Sequence, residues 1–516
     1  MNGSMITPGA SSAPPPRGDG GSADVGRMAR GGGFNVLGAL INQGSLFLIM
    51  MILAQSTSHA DVGRYSLCYA LLMILTLLSL GGLRATLTRF TAMGLADRDH
   101  GAVRGTIRFG VSTAVTLSLL VAAVLTLGSP LIAEILNEPD LRPGLLVVAV
   151  SLVALTIEGS ALAATQGWRS QRAFTIIGSI IDPGLRLLLT ALALWQGMGL
   201  MGALGALAIS AWVGAILSLI VLGRRVRRLE KASPTYIVQP MLSFAVVSWL
   251  STLATTGLIW ADTLMLGYFT PAEEVGIYTV GTRLVTLAIF VLNPINSAFV
   301  PHVAHLYHLG DGKGVDRVFG AANRWITRIS IPAFIMLFAF PTQLLGLFGP
   351  GFEAAAIVTI ILAIGQFANA AAGPCGSVLN MTGRVKLSLA DNLGALVLNI
   401  VLNLILIPRH GIVGAAASWT IVLIAVNTVK YIQVRRIGIQ PEGTGIAATL
   451  IASTPAAIFA AILSFILDGP LQALLIGGPI VVGAYVAVLL ARGMEEEDRE
   501  LVASILRRLR RSPRDP

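Results

Sequence analysis

The sequence predicts an all-α integral membrane protein of about 14 transmembrane helices, arranged as two pseudo-symmetric six-helix lobes plus two C-terminal helices. Composition is the first reason. Of 516 residues, 54% are hydrophobic and only 12% charged, with a mean hydropathy of +0.77, whereas soluble domains carry roughly 25% charged residues. Run length is the second: apolar stretches of about 20 residues, enough to cross the hydrocarbon core as helix, recur between short polar breaks. The runs are continuous, unlike the alternation over roughly ten residues of barrel strands. The third is an internal repeat. Asp61-Val62-Gly63-Arg64-Tyr65-Ser66 returns 213 positions later as Glu274-Val275-Gly276-Ile277-Tyr278-Thr279, and Gly199-Leu200-Met201-Gly202-Ala203 returns 212 positions later as Gly411-Ile412-Val413-Gly414-Ala415. Two distant matches with nearly one offset indicate a tandem duplication of roughly 200 residues, beyond the period of solenoid repeats. In a membrane protein such a repeat points to transport.

The elements follow in order. Residues 1–33 are rich in Gly, Pro and Ser, including Pro14-Pro15-Pro16 and Gly31-Gly32-Gly33, and read as a disordered cytoplasmic arm. The N-terminal lobe, 34–223, holds runs beginning near Phe34, Tyr65, Gly105, Pro143, Phe174 and Gly199. The first, Phe34 to Gln55, is long for a signal peptide and occupies the first slot of the repeat, so it is taken as a span. A basic cytoplasmic linker, 224–236, precedes the C-terminal lobe, 237–436, whose runs begin near Pro240, Val275, Trp325, Ala354, Leu387 and Ile412. Residues 437–491 supply two more helices, from near Gly445 and Leu471, and 492–516 form a charged cytoplasmic tail. Each repeat has an even number of spans, so the duplication is parallel. Cys68 and Cys375 fall inside spans and imply no disulfide framework.

Orientation follows from Lys and Arg, which short cytoplasmic loops retain. One side collects Arg84, Arg89, Arg98, Arg104 and Arg108, then Arg169 and Arg172, Arg224 to Lys231, Lys313, Arg317 and Arg324, Arg384 and Lys386, Lys430, Arg435 and Arg436. The other side has Arg64, Arg142 and Arg409 among acids such as Glu134, Glu138, Asp140, Glu273, Glu274, Glu353 and Asp468. Both termini are therefore expected in the cytoplasm of a multi-pass cell-membrane protein. The net charge of +10 then reflects topology and attraction to anionic membrane lipid, not nucleic-acid binding.

No phosphate-binding Gly-Lys-Ser loop, zinc-ligand spacing or nucleophile elbow occurs, so no catalytic residue, metal or cofactor is assigned and the chain is not read as an enzyme. His302, His305 and His308 form an i, i+3, i+6 series, but no carboxylate or Cys completes a metal site, and a solvated cluster is the better reading. The informative charges are those inside the bilayer, each costing about 2.5–3.5 kcal/mol on insertion scales. Asp182 and Arg186 are four apart on one helical face, about 12 and 18 Å from the cytoplasmic end of the fifth span. Glu158, at similar depth in the fourth, can join them in one polar cluster, and Pro183 loosens the helix between them. Asp262 and Arg283 flank the outer turn between spans seven and eight and can pair in the second lobe. Ion pairs that only fix helix packing are a competing reading for Asp182 and Asp262, while a buried Arg can offer its donor fork to a phosphate. Asn392, Asn399 and Asn403 fall on one helical stripe, as helix glue or a polar path.

Trp260-Ala261-Asp262-Thr263-Leu264-Met265-Leu266-Gly267-Tyr268-Phe269, with Val275-Gly276-Ile277-Tyr278 and Arg283-Leu284, resembles the central signature of polysaccharide biosynthesis flippases in the multidrug/oligosaccharidyl-lipid/polysaccharide exporter superfamily. Leu379-Asn380-Met381-Thr382-Gly383-Arg384, then Leu398 to Asn403, Ile407-Pro408 and Gly411 to Ala416, is similar to its carboxy-terminal half. The resemblance spans roughly 34–435. It implies translocation of a polyprenyl-diphosphate-linked oligosaccharide to the outer leaflet by alternating access, through a cationic cavity between two lobes. On that reading Arg186 and Arg283 bind the diphosphate, and Glu158, Asp182 or Asp262 restrains them or takes a coupling ion. Glycosyltransferases or a polymerase of the same pathway are candidate partners. Three rivals stand beside it. A lipid II flippase is expected to carry basic residues in its first span, and Phe34 to Gln55 has none. A multidrug/cation antiporter usually stops at twelve spans, and a membrane glycosyltransferase or glycan polymerase needs a large outer loop or a carboxylate-rich metal motif.

Overall fold

The computed structural model describes residues 21–290, 292–440 and 446–492. Their secondary structure is all helical, with no strand among the described residues, in the chain order α1 (Gly21–Ser56), α2 (His59–Leu80), α3 (Leu83–Ala96), α4 (His100–Ile135), α5 (Leu141–Gln166), α6 (Asp182–Trp195), α7 (Gly199–Arg227), α8 (Val238–Phe269), α9 (Ala272–Ala288) and α10 (Leu292–His308). Then come α11 (Gly312–Ala339), α12 (Pro341–Leu345), α13 (Ala356–Ala372), α14 (Cys375–Met381), α15 (Val385–Arg436), α16 (Ile446–Ser464), α17 (Pro470–Gln472) and α18 (Gly478–Arg492). Helix α1 starts inside the stretch read as a disordered arm. The rest of that arm, and the tail after 492, lie outside the described residues.

The protein is a multi-pass membrane protein. Among the described residues 10 helices are long and apolar enough to span, or 11 if the pair Gly312–Ala339 and Pro341–Phe348, bent by 93°, is one span. The sequence suggested about 14, and the difference has local causes. Helix α15 is continuous for 52 residues but turns at Gly411, where φ 53° and ψ −132° suit only a residue without Cβ. The eighth run is divided between α9 and α10, of 17 residues each. The ninth, α11, qualifies only with its bent partner, and the described apolar part of α16, Thr449–Ser464, is short.

Local chemistry sets the helix ends. Ser58 accepts from the Asp61 amide at 3.1 Å to start α2, Asp99 accepts from Ala102 N at 2.8 Å to start α4, and Asp311 accepts from Gly314 N at 2.8 Å to start α11. Gly81, at φ 51°, ends α2. Before α6 the backbone widens into a π-helical segment, Phe174–Ile181. Pro183 follows one residue later; its missing N–H and its ring disfavour the regular α pattern one turn back, and a π turn absorbs the misfit.

Helices α1 to α7 pack mainly on one another, as do α8 to α15, with α16 and α18 against α11. The halves meet where α2 lies along α8 and α9, and where α3 lies along α8. Phe319, Phe340, Phe348 and Phe352 fill the second half, and Leu67, Leu72, Leu141 and Leu145 the first.

Candidate functional site

In the first half, Arg186 donates from Nη2 to Asp182 Oδ2 at 2.6 Å, with both side chains more than nine-tenths buried. This is the i, i+4 pair the sequence predicts. It is incomplete: Arg186 Nε and Nη1 and Asp182 Oδ1 are buried without a hydrogen-bond partner. Glu158 reaches the same region from α5. Its charged neighbours are Asp182, Arg186 and Arg84, yet its Oε2 is buried without a hydrogen bond. Gly214 on α7 makes room for this carboxylate, since a Cβ there would collide with it.

In the second half the expected Asp262–Arg283 pairing is replaced. Asp262 Oδ1 accepts from Asn403 Nδ2 at 2.6 Å and its Oδ2 from the Tyr278 hydroxyl at 3.1 Å, and Asn403 also donates to Asn399 Oδ1 at 3.2 Å. The fully buried Asn403 amide on α15 and the Tyr278 hydroxyl on α9 satisfy the carboxylate without a second charge. Asn392, on the same stripe, is drawn elsewhere and accepts from Lys430 Nζ at 2.8 Å. Arg283 is left without an ion-pair partner among the described residues, and its Nε is buried unbonded. It lines a cavity of about 140 Å³ together with Trp260, Asp262, Tyr278, Thr282 and Gln366.

Aromatic rings join the two halves. The Arg186 guanidinium lies 5.9 Å from the Tyr69 ring centre, and that of Arg283 5.6 Å from Trp260. Tyr69 and Trp260 meet edge to face at 5.4 Å, and Tyr65 stacks on Tyr69 at 6.3 Å. The two arginines thus bracket one aromatic pair that spans the junction, and Tyr65 lies within electrostatic reach of both. At these distances, near the roughly 6 Å limit of cation–π attraction, the rings position the guanidinium groups without neutralising them. Sequence reasoning assigned no role to Tyr65, Tyr69 or Trp260. The available signal was the repeat, in which Tyr65 and Tyr278 are equivalent, and the motif that begins at Trp260.

One end of the junction is shut. Helices α2 and α9 cross at Gly63 and Gly276, the equivalent glycines of the repeat, so closely that a Cβ on Gly63 would strike the Ala272 carbonyl and one on Gly276 the His59 carbonyl. Around this crossing Arg64 pairs with Glu138 at 2.9 Å, Asp140 at 3.0 Å and Asp61 at 3.3 Å. Glu138 accepts from the Ala272 amide at 3.2 Å, and His59 Nε2 lies 2.9 Å from the Pro350 carbonyl. Toward the other end lies a second cavity of about 310 Å³. No group of three or more His, Cys, Asp or Glu suited to a metal occurs among the described residues, those of the His302, His305, His308 series included.

A family model described as "polysaccharide biosynthesis protein" matches residues 28–306, more than half of the chain. The chain belongs to this family. A second model, MatE, matches 235–405. Two Haloferax volcanii proteins are similar to it. One, named a probable low-salt glycan biosynthesis flippase, is 27% identical over 192 residues, or 37% of this chain and 40% of that protein. The other, named a probable flippase, is 26% identical over 183 residues, or 34% and 38%. The chain therefore matches less than half the length of these relatives. A lipid II flippase in an inward closed conformation superimposes with TM-score 0.68 at 11% identity, over 91% of this chain and 99% of the other. An inward-facing multidrug resistance MATE transporter does so with TM-score 0.60 at 15%, over 78% and 98%. At such identities the likeness establishes the fold alone.

Proposed function

We propose that this polysaccharide biosynthesis family member is a flippase that carries a polyprenyl-diphosphate-linked oligosaccharide from the cytoplasmic to the outer leaflet by alternating access. Both termini then lie in the cytoplasm, and the Gly63–Gly276 crossing closes the outer end. The observation that carries the reading is the pair of arginines, one from each half, held on the Tyr69–Trp260 pair with buried N–H groups unspent. Moving a diphosphate and sugars through hydrocarbon is prohibitive without an internal polar route. Guanidinium forks supply countercharge and directed donors for phosphate oxygens. The lipid tail remains in the bilayer.

Asp182 acts as a placeholder for the anion. It holds Arg186 when the site is empty and yields it when a diphosphate arrives, so the charged side chain is never left alone. Asp262, bonded to Asn403 and Tyr278 rather than to Arg283, is the better coupling site for a proton or ion. A cation antiporter is disfavoured at the Arg283 cavity, whose one acid, Asp262, is already bonded by Asn403 and Tyr278.

The test is translocation in proteoliposomes of the lipid-linked glycan extracted from cells depleted of the protein. Wild-type protein should move it, and the double variant Arg186→Ala, Arg283→Ala should not. Unimpaired transport by the double variant at normal protein level would overturn the assignment. In cells, depletion should cause that intermediate to accumulate on the cytoplasmic face.

A further inference from the structure

The cavity of about 310 Å³ is separate from the arginine site but adjoins it. Thr286, one helical turn beyond Arg283 on α9, lines both cavities. On α13, Gln366 lines the arginine cavity and Asn369, three residues on, lines the larger one. Asn369 Nδ2 donates to Gln366 Oε1 at 3.2 Å and Asn427 Nδ2 to Asn369 Oδ1 at 3.1 Å, so an amide ladder runs from one to the other. Gln43 from α1 and Ser377 from α14 complete the polar wall, and Phe290 supplies an apolar face.

The chemistry of this wall differs from that of the arginine site. None of its lining residues is acidic, and its one cation, Lys430, is held by Asn392 Oδ1 at 2.8 Å. The amide ladder leaves the Asn427 carbonyl oxygen and one Asn369 N–H to spare. Thr286 donates to the Thr282 carbonyl at 2.7 Å and keeps its lone pairs. Donors and acceptors are therefore mixed. A phosphate, which only accepts, gains little from such a wall, whereas a sugar hydroxyl both gives and takes a hydrogen bond. The volume is at the small end of ligand pockets, roughly 300–1,000 Å³.

We infer that this amide-lined cavity is a glycan subsite, holding the first neutral sugars of the lipid-linked substrate while the diphosphate sits at Arg186 and Arg283. The inference rests on the flippase reading and adds the headgroup's orientation. Because α9 runs from the closed end past Arg283 to Thr286, the sugars lie on the side of the diphosphate away from the Gly63–Gly276 crossing. The subsite is complete before that crossing opens, so a sugar-bearing lipid is distinguished from a bare one on entry.

The test is binding to purified full-length protein in nanodiscs, with undecaprenyl diphosphate either bare or bearing one N-acetylglucosamine. Wild-type protein should bind the sugar-bearing probe about tenfold or more tightly than the bare one, the effect of one or two neutral hydrogen bonds. The double variant Asn369→Leu, Asn427→Leu should erase that preference and leave the bare probe unchanged. Gly376→Leu is an independent variant. The nearest neighbour of a Cβ there is Lys430 Nζ at 3.9 Å, so a side chain at this lining position has room to enter the cavity. It too should lower affinity for the sugar-bearing probe alone. Equal wild-type affinities, or equal losses for both probes in both variants, would overturn the subsite and leave the flippase reading standing. If wild-type protein binds neither probe, the flippase reading falls and the subsite with it.

Discussion

Arg283→Ala isolates the anion site. Arg283 makes no ion pair among the described residues and its Nε is buried unbonded, so truncation strands no carboxylate and removes only a donor fork resting 5.6 Å from Trp260. The folded protein should tolerate it, with a thermal midpoint in detergent within about 2–4 °C of wild type, the shift that about 1 kcal/mol produces in a large domain. Diphosphate binding should not. Hydrogen bonds to charged groups contribute about 1.5–3 kcal/mol, which at 1.36 kcal/mol per tenfold is a loss of roughly 10- to 150-fold in affinity. Arg283→Lys keeps the charge but not the fork and should fall between. Binding of bare undecaprenyl diphosphate in nanodiscs, read by native mass spectrometry, measures both variants. A well-folded Arg283→Ala protein with affinity within threefold of wild type would refute the placement of the diphosphate at this residue.

Arg186→Ala should behave differently. It leaves Asp182, 6% exposed, without its cation, at a cost of about 3–5 kcal/mol, so its thermal midpoint should drop well below that of Asp182→Asn combined with Arg186→Ala; equal midpoints would show that the pair is not coupled. Gly276→Val should wedge α2 from α9. Spin labels at Asn137→Cys and Asp468→Cys should then report longer distances by electron resonance, and an unchanged distribution would exclude the crossing as a gate. Asp262→Asn should make translocation indifferent to an imposed proton or sodium gradient while bare undecaprenyl diphosphate binds within about threefold of wild type; persistent gradient dependence would remove Asp262 from coupling. For orientation, an impermeant maleimide on intact cells should label Asp468→Cys and not Ser233→Cys. The native Cys68 and Cys375 are buried and should stay silent.

Features set by spacing along one helix were legible in the sequence. The all-helical membrane architecture followed from run length and hydropathy. The Asp182–Arg186 pair followed from a four-residue separation, because 3.6 residues per turn places such side chains on one face whatever surrounds them. Pro183 likewise marked the irregular backbone seen from Phe174 to Ile181. Contacts between helices were not legible in this way. The stripe of Asn392, Asn399 and Asn403 was visible, yet its division between Lys430 and Asp262 depends on how α15 lies against its neighbours. The repeat revealed that Gly63 and Gly276 are equivalent, not that they touch. Arg283 had an apparent partner in Asp262, and only the packed structure left it without an ion-pair partner among the described residues and set it, with Arg186, on either side of Tyr69 and Trp260. The reason is physical. Helical periodicity and hydrophobic length are properties of the local backbone and the bilayer, carried by every stretch of sequence, whereas partner choice among buried polar groups is decided by the crossing of helices tens or hundreds of residues apart, where each donor goes to the acceptor that packing brings within 3 Å.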